Sequence, residues 1–288
     1  MNTSPKIILI TGCSSGFGML TAVHLSTKGH KVIATLRDLS KNTDLKNRAK
    51  EFNTTIDIQQ LDVNKPETIT TTIEYIKQKY GRIDILINNA GYSIGGFFED
   101  LSDQDIRSIM ETNFFGVQNL TRSVLPIMRE QKQGKIINIS SVSGLTTYPG
   151  LSGYNASKWA LEAFSECLYY EVKQFGINVC LIEPGSYRTK IFEENGRYAE
   201  NFNNPQSPYY QISQSLKELV MQSIKNNKRD PMAIAYLIEK LINQKNPPLR
   251  NILGINVKTI YVLRKILPFK IFSFIIESIF KNRFKNTD

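Results

Sequence analysis

Short, strongly apolar segments alternate with helix-length stretches along most of the 288-residue chain. Most of these segments are almost continuously apolar, as expected of parallel strands that are buried on both faces. Because parallel strands need crossover connections, the alternation predicts one doubly wound α/β domain with three αβα layers. The predicted strands are residues 6–11, 31–36, 55–61, 83–88, 135–140, 177–182 and 249–253, and the predicted helices are residues 16–28, 66–80, 102–130 and 152–175.

A glycine-rich turn, residues 11–18, follows the first predicted strand and precedes the first predicted helix. It reads TGCSSGFG, with the glycine spacing G-x-x-x-G-x-G. A strand, a glycine turn and a helix N-terminus together bring backbone N–H groups and the positive helix end to a pyrophosphate. Glycines suit this position because side chains hold phosphates away. The turn therefore predicts a dinucleotide site at Gly12, Ser14, Ser15, Gly16, Phe17 and Gly18.

The same turn also matches the G-x-S-x-G nucleophile elbow of α/β hydrolases, at Gly12, Ser14 and Gly16. That chemistry needs an acid and then a histidine farther downstream, whereas the sequence has no histidine after His30. A hydrolase would therefore need an unusual base. The scarcity of histidine also disfavours a metal site, and the three widely spaced cysteines fit neither a zinc site nor a disulfide framework.

The end of the second predicted strand, Leu36-Arg37-Asp38, bears on the choice of cofactor. NAD-binding folds of this kind place an acid there to bond the ribose 2′-hydroxyl. Here Arg37 stands beside the strand end, and a guanidinium suits a 2′-phosphate through charge and bidentate hydrogen bonds. We expect NADP(H) to be preferred. If the strand register differs by two residues, Asp38 takes the position of that acid, and NAD(H) remains an alternative cofactor.

Tyr154 and Lys158 lie four residues apart, on one face of a predicted helix. A phenol with its usual pKa of about 10 is a poor base at neutral pH, and an ammonium within ~4–6 Å is expected to lower that pKa by ~1–3 units. The tuned phenol can donate a proton to a carbonyl oxygen or accept one from an alcohol. The pair alone is a weak signal, but Ser141, at a strand end, adds a hydroxyl for a substrate oxygen.

Further short motifs accompany these residues along the chain. In order, the whole set is the glycine turn, Leu61-Asp62-Val63, Asn88-Asn89-Ala90-Gly91, Asn113, Ser141, Tyr154-x-x-x-Lys158 and Pro184-Gly185. In this order and spacing the set resembles the short-chain dehydrogenase/reductase family over roughly residues 5–190. The chain is most similar to the single-domain branch that includes 17β-hydroxysteroid and retinol dehydrogenases, which implies a Rossmann-type fold. Phe17 departs from the family pattern, in which a smaller aliphatic residue is usual.

The resemblance implies a role for each matching residue. Tyr154 would be the general acid/base, Lys158 would bond the nicotinamide ribose and lower the pKa of the tyrosine, and Ser141 would orient the substrate oxygen. Asn113 would hold a water in a proton relay behind Lys158. A homodimer or homotetramer through the long helices around Asn113 and Tyr154 is also implied. The cofactor would further meet Asp62 and Val63 at the adenine, Asn89, Ala90 and Gly91 along its length, and Pro184, Gly185 and Thr189 around the nicotinamide.

The segment 256–288 is predicted to be a helical extension of a domain formed by residues 1–255. Apolar clusters alternate with basic residues there, and Pro268 divides the segment into two helices. Residues 258–288 hold seven basic and two acidic side chains, so they carry half of the net charge of +10. One interpretation is a basic amphipathic helix at a membrane surface or a lipid substrate. The other is a tail that packs over the cleft or against a neighbouring subunit; no nucleic acid is expected as a partner.

We expect an NADP(H)-dependent oxidoreductase that interconverts a carbonyl and an alcohol on a lipid, retinoid or steroid-like molecule. The alternatives are a 3-oxoacyl reductase of lipid synthesis and a non-catalytic NADP(H) sensor. The polar residues 186–211 are expected to form either a mobile loop over the site or a surface excursion with no role. An apolar substrate pocket is expected from Leu145, Tyr148, Leu151, Tyr187, Ile191 and Phe192.

Two features of the sequence bear on location. The chain shows neither a signal-peptide pattern nor a long uninterrupted apolar span, and its cysteine usage is typical of a reducing compartment. These features predict a cytoplasmic protein, associated with membranes if the basic tail binds lipid.

Overall fold

The computed structural model describes residues 4–187 and 196–284. Seven parallel strands form the central sheet in the order β3-β2-β1-β4-β6-β7-β9, and β5 pairs with β8 in a separate small sheet. All seven predicted strands are present. The strands are β1 (Ile7–Ile10), β2 (Lys31–Leu36), β3 (Asp57–Gln60), β4 (Ile85–Asn88), β5 (Ile94–Gly95), β6 (Gly134–Ile139), β7 (Ile177–Pro184), β8 (Arg197–Tyr198) and β9 (Arg250–Leu253).

Helices cover both faces of the sheet and complete the three αβα layers. The helices are α1 (Gly16–Thr27), α2 (Thr43–Glu51), α3 (Pro66–Tyr80), α4 (Asp103–Met110), α5 (Gly116–Glu130), α6 (Ser152–Val172), α7 (Tyr210–Lys225), α8 (Met232–Asn243), α9 (Ile255–Ile266) and α10 (Phe269–Phe284). The four predicted helices are confirmed, although a π-helical turn at Glu111–Phe115 separates α4 from α5 within residues 102–130. The helices α2, α7 and α8 were not predicted from the sequence. Pro268 separates α9 from α10, as expected.

The continuous apolar run of β1 is explained by burial on both sides. Ile8 and Ile10 belong to the core that the sheet forms with α1 and α8. Ile7 and Leu9 face the opposite core, which the sheet forms with α3, α5 and α6. Because side chains alternate across a strand, a strand between two helical layers needs apolar residues at every position.

The amino edge of the sheet is closed by a buried lysine at the start of β6. The Lys135 ammonium donates hydrogen bonds to three carbonyl oxygens at the end of α8, those of Leu241 at 2.6 Å, Ile242 at 2.8 Å and Gln244 at 2.8 Å. These carbonyls have no partner within the helix, so the ammonium acts as its C-terminal cap.

The segment 186–211, predicted to be a loop, contains regular structure in the part that the structure describes. Arg197 and Tyr198 form β8, which pairs with β5, and α7 begins at Tyr210. Local composition could not reveal this pairing, because the partner strand lies about a hundred positions earlier in the chain. Residues 188–195 lie outside the described residues.

The last strand leads directly into the carboxyl-terminal helices. The side chain of Val257, in α9, is buried, and a Cβ atom at Gly185 would lie 2.6 Å from it. This close packing ties α9 to the end of β7. The division into residues 1–255 and 256–288 stays a prediction. Within residues 4–187 and 196–284, no helix is both long and apolar enough to span a bilayer.

Candidate active site

The order of the strands reverses between β1 and β4, and in such sheets this point opens a crevice at the carboxyl ends of the strands. A cleft of about 350 Å³ lies there. Gly18 and Asn113 are not part of its wall, and Thr189 lies outside the described residues. The predicted site residues in the wall are Gly12, Ser14, Ser15, Gly16, Phe17, Arg37, Asp62, Val63, Asn89, Ala90, Gly91, Ser141, Tyr154, Lys158, Pro184, Gly185 and Tyr187.

The glycine turn has a backbone that only glycine accommodates well. Gly12 and Gly16 adopt positive φ angles of 70° and 57°. A Cβ atom at Gly12 would lie 2.8 Å from the Cα of Ala90, and one at Gly18 would lie 2.4 Å from the Gly12 carbonyl oxygen. The turn leads into α1 at Gly16 and lines the cleft with backbone. This cradle fits a pyrophosphate, because bare backbone can approach it closely at a helix N-terminus.

Two polar side chains hold the glycine turn against β4. The Thr11 hydroxyl accepts hydrogen bonds from the backbone N–H groups of Asn89 and Ala90, both at 2.9 Å. The Asn89 amide donates to the carbonyl oxygens of Thr11 at 2.8 Å and Gly12 at 3.0 Å. Asn89 therefore braces the cofactor turn as well as lining the cleft. The role of the Thr11 hydroxyl was not predicted from the sequence.

The expected adenine-side residues lie where the cleft passes β3 and the start of α3. The Asp62 carboxylate accepts a hydrogen bond from the backbone N–H of Asn64 at 3.0 Å, so Asp62 also shapes this turn. Val63 is buried, and a Cβ atom at Gly116 would lie 2.6 Å from its side chain. Val63 therefore presents a fixed apolar surface to the cleft, as an adenine ring requires.

Cations line the cleft at the end of β2. Arg37 and Lys41 both belong to the wall, whereas Asp38 does not. The Asp38 carboxylate caps a short 3-10 helix by accepting hydrogen bonds from the backbone N–H of Ser40 at 2.9 Å and from its hydroxyl at 2.7 Å. These hydrogen bonds lower the pKa of Asp38. Lys41 was missed because nothing in the sequence shows that the helical turn brings it back to the cleft.

Tyr154, Lys158 and Ser141 meet at the end of β6. Tyr154 and Lys158 are one turn apart in α6, both are buried, and the Lys158 ammonium lies 5.9 Å from the centre of the tyrosine ring. The ammonium donates a hydrogen bond to the Ile139 carbonyl oxygen at 2.9 Å. Ser141 starts the 3-10 turn after β6, and its hydroxyl oxygen accepts a hydrogen bond from the backbone N–H of Ser143 at 3.1 Å.

Burial governs the protonation of this group. Burial raises the pKa of Tyr154, and a hydrogen bond from the Ser141 hydroxyl acts in the opposite direction. The pKa of Lys158 is lowered to about 8, because burial penalises its charged form. A tyrosine pKa lowered by Lys158 was expected, and the structure differs: the ammonium lies over the ring, and loss of hydration dominates at the phenol. The Tyr154 phenol is therefore in its neutral form at neutral pH.

Asn113 lies behind the cleft in the π-helical turn. Its side-chain amide donates hydrogen bonds to the Tyr92 carbonyl oxygen and the Ser157 hydroxyl, both at 3.0 Å, and its oxygen accepts one from the Tyr92 N–H at 3.1 Å. Both amide protons are therefore used, which fixes the segment after β4 against α6. The same oxygen would lie 3.0 Å from a Cβ atom at Gly91. The predicted water relay through Asn113 stays a prediction.

Aromatic rings line the cleft together with Tyr154. The Phe17 and Tyr187 rings meet edge to face with centres 5.5 Å apart, so the larger residue at position 17 has a specific packing partner. The Arg197 guanidinium stacks 4.7 Å above the centre of the Tyr92 ring, and both residues line the cleft without having been predicted. Of the other residues expected in an apolar pocket, Leu145, Tyr148 and Leu151 do not line the cleft, and Ile191 and Phe192 lie outside the described residues.

Comparisons with known proteins agree with this geometry. The family model described as short chain dehydrogenase matches residues 6–199. The 3-ketodihydrosphingosine reductase of Bacteroides thetaiotaomicron is 38% identical over 261 residues, which cover 91% of this chain and 92% of that protein. Retinol dehydrogenase 8 of Bos taurus is 35% identical over 267 residues, which cover 87% of this chain and 82% of that protein.

Solved structures share the fold. A short-chain dehydrogenase from Streptomyces avermitilis is 33% identical, with a TM-score of 0.78 over 99% of this chain and 100% of that chain. Other structures with this fold hold NAD, NADP or NADPH. The residues of the cleft fit such a dinucleotide, since the glycine turn forms a backbone cradle and Val63 an apolar wall. The chain belongs to the short-chain dehydrogenase/reductase family and is an oxidoreductase that acts on CH–OH groups with a nicotinamide cofactor.

Proposed function

We propose that the protein is an NADP(H)-dependent oxidoreductase that interconverts a carbonyl and an alcohol on a lipid-like substrate, with Tyr154 as general acid/base. The observation that carries this proposal is that a buried, neutral phenol lines the same cleft as the backbone cradle of the glycine turn and several aromatic rings. Ser141 hydrogen bonds to this phenol, and Lys158 lies beside it. A non-catalytic sensor has no need for this arrangement.

The chemistry divides between the cofactor and the chain. The bound nicotinamide supplies or accepts the hydride. The Ser141 hydroxyl holds the substrate oxygen, and the neutral Tyr154 phenol donates a proton to that oxygen during reduction. In alcohol oxidation the phenolate accepts the proton, and its formation in a buried site requires nearby positive charge, which the Lys158 ammonium provides. Asn113 is proposed to hold a water behind Lys158 for proton exchange with solvent.

The preference for NADP(H) is supported by the charges at the end of β2. Arg37 and Lys41 face the cleft, and Asp38 is engaged by Ser40. A 2′-phosphate would meet two cations there, whereas a free ribose 2′-hydroxyl would find no carboxylate from Asp38 as acceptor. Charge-assisted hydrogen bonds of this kind contribute ~1.5–3 kcal/mol each.

The cofactor assignment is tested by Arg37→Leu. We expect the KM for NADPH to rise about tenfold or more, because a loss of about 1.4 kcal/mol is a factor of 10, while the KM for NADH changes little. Lys46→Leu, at an exposed position of α2 outside the cleft, is the matched control. An unchanged ratio of the two KM values in Arg37→Leu would overturn the assignment.

The lipid-like substrate is supported by the aromatic rings that line the cleft and by the relatives whose names specify 3-ketodihydrosphingosine and retinol. The test is oxidation of NADPH, followed by absorbance, with a panel of a long-chain ketone, a retinoid aldehyde and a ketosteroid. Turnover with at least one of them, and none with small polar ketones, is the expected result. Tight NADPH binding without turnover of any carbonyl would favour the sensor.

A second candidate is a 3-oxoacyl reductase with a carrier-bound substrate. The Arg197 guanidinium at the cleft mouth favours it, because a phosphate-bearing carrier would find a cation there. For this function, Arg197→Leu should raise the KM for a 3-oxoacyl thioester about tenfold and leave the KM for an uncharged ketone unchanged. Equal effects on both substrates would remove this candidate.

A further inference from the structure

The junction between α9 and α10 exposes an unusual concentration of apolar side chains. Six of the fourteen large apolar side chains that are exposed in the described residues fall within residues 262–274. Ile266, Phe269 and Phe274 are the most exposed of these, at 72%, 68% and 69%. We call this set the junction surface; it consists of Val262, Leu263, Ile266, Phe269, Ile271 and Phe274.

Basic side chains accompany the junction surface. Lys265 and Lys270 are exposed, and Arg264 stacks over the rings of Phe269 and Phe272, 5.4 Å from each ring centre. Glu277 is the sole acidic residue of the sequence from 256 to 284. Aromatic and aliphatic side chains bordered by cations are typical of segments that lie in the interface of an anionic bilayer.

The junction surface is anchored to the wall of the cofactor cleft. Phe272, in α10, and Val257, at the start of α9, are both buried. A Cβ atom at Gly185, which lines the cleft, would lie 2.6 Å from the Val257 side chain. The first turn of α9 therefore packs against the cleft wall, and the junction surface follows at the other end of the same helix.

We propose that the junction surface docks the enzyme on the face of an anionic lipid bilayer. Charge complementarity favours this occupant, because the cations meet acidic headgroups while the apolar side chains enter the acyl boundary. A second copy of the chain fits less well, since a two-fold contact would bring the cations of one junction surface against those of the other. Docking in this way needs no spanning helix and does not depend on the identity of the substrate.

The first test is co-sedimentation of the full chain with vesicles of phosphatidylcholine alone and of phosphatidylcholine with about 30% phosphatidylglycerol, a fraction typical of a strongly anionic leaflet. We expect the bound fraction to be at least about tenfold higher on the anionic vesicles, since each cation adds about 1 kcal/mol and three cations border the surface. Ile266→Glu/Phe269→Glu/Phe274→Glu should lose this binding. Phe52→Glu/Phe98→Glu/Tyr236→Glu, at exposed aromatic positions elsewhere, should keep it.

A second measurement avoids disruptive substitutions. Phe269→Trp in a Trp159→Phe background places the single tryptophan on the junction surface. Its emission should shift to the blue with anionic vesicles and be quenched by brominated lipids, whereas Trp159 of the unmodified chain should show neither change.

Several outcomes would overturn the proposal. The first is that wild type stays in the supernatant with anionic vesicles. The second is that the two triple variants bind these vesicles equally well. The third is that brominated lipids do not quench the tryptophan emission of the Phe269→Trp variant. A dimer in sedimentation velocity that only the junction variant dissociates, together with absent vesicle binding, would also overturn it and would assign the surface to a second copy of the chain.

Discussion

Two buried lysines at opposite edges of the sheet differ in how many hydrogen bonds their ammonium groups donate. Burial lowers the pKa of both Lys135 and Lys158. Lys135, at the amino edge, donates to three carbonyl oxygens and so uses all its protons. Lys158, at the carboxyl edge, donates to one carbonyl oxygen within the described residues and lines the cleft.

The difference follows from what each edge of the sheet has to satisfy. At the amino edge, Lys135 caps a helix, and the Asp84 carboxylate accepts a hydrogen bond from the Ile7 N–H at 2.7 Å, so polar side chains complete the fold. At the carboxyl edge, the strands end in a glycine turn and in short polar residues that leave a cleft. The edge at which a buried lysine keeps unused hydrogen-bonding capacity is therefore the edge at which we propose the chemistry takes place.

The largest effect should come from Tyr154→Phe, which removes the proton donor and keeps the ring. We expect kcat to fall by about 10³-fold, within the range of roughly 10²–10⁴ typical of general acid–base catalysis. Cofactor binding should remain, because the glycine turn is untouched, and NADPH fluorescence measures this. A decrease of less than about tenfold, with binding intact, would show that another group moves the proton.

Much of the carboxyl edge could be predicted from the sequence. In a parallel sheet the carboxyl ends of all strands lie at one edge. The short polar or glycine residues that follow the strand ends were therefore expected to lie together, and Gly12, Asn89, Ser141 and Pro184 do line one cleft. The four-residue spacing of Tyr154 and Lys158 puts both side chains on one face, provided that the segment is helical. Continuous apolar runs such as Ile7–Ile10 identified the strands because burial on both faces leaves a strong local signal.

The remainder depended on contacts between distant residues. Arg197 reaches the cleft only through the pairing of β8 with β5, and Lys135 finds its partners more than a hundred positions away. The protonation of Tyr154 was also not predictable, because local spacing shows the lysine and does not show the burial that outweighs it. The π-helical turn was likewise not predicted, and Asn113 within it hydrogen bonds to the distant Ser157.

The second prediction sets Lys158→Met against Lys135→Met. Lys158→Met should lower kcat about 10²-fold, by removing the cation beside the phenol, and leave the fold intact. Lys135→Met should lower the free energy of unfolding by roughly 2–4 kcal/mol, because buried carbonyls lose their donor, and keep kcat per folded molecule. Denaturant titration and initial rates on the same samples measure both. If the two variants lose kcat and free energy of unfolding to a similar extent, the contrast between the two edges is wrong.

The third prediction concerns pH and the charge on Lys158. Its pKa of about 8 in the fold lies below the usual 10.5, so the ammonium loses its proton as the pH rises through 8. We expect kcat/KM for NADPH, which reports groups of the free enzyme, to fall above about pH 8 by up to about tenfold per unit. Lys135→Met should keep this alkaline limb, and Lys158→Met should lack it. A wild-type profile that stays flat to about pH 10 would show that the charge on Lys158 does not matter.

The lowered pKa of Lys158 changes the free energy of unfolding in the direction opposite to its effect on activity. Between pH 8 and 10.5 the unfolded chain binds the lysine proton and the folded chain does not, so this group makes the free energy of unfolding rise with pH. Activity and stability should therefore move in opposite directions over this interval. Denaturant unfolding of wild type and Lys158→Met at about pH 8 and about pH 10 isolates the contribution of the lysine.

The smallest expected effect comes from a buried carboxyl group near the end of β7 that does not line the cleft. Glu183, in β7, is buried, and burial raises its pKa from 4.5 to about 8. Its side chain accepts a hydrogen bond from the Asn251 N–H at 2.8 Å. Arg250 lies 3.6 Å away and also faces the carboxylates of Glu162 and Glu166, so its charge is shared among three acids.

As the pH rises from 4.5 towards 8, the unfolded chain releases the Glu183 proton before the folded chain does, so the free energy of unfolding falls. Glu183→Gln mimics the protonated side chain and can keep the hydrogen bond to Asn251. Between about pH 5 and about pH 8, we expect the free energy of unfolding of the variant to rise by about 1 kcal/mol or more relative to that of wild type, since each unit of pKa difference corresponds to ~1.4 kcal/mol. Glu166→Gln, at a half-exposed position, should show no such gain. If the free energies of unfolding of Glu183→Gln and wild type depend on pH in the same way, Glu183 is ionised in the fold. In that case Arg250 alone offsets the burial of its charge.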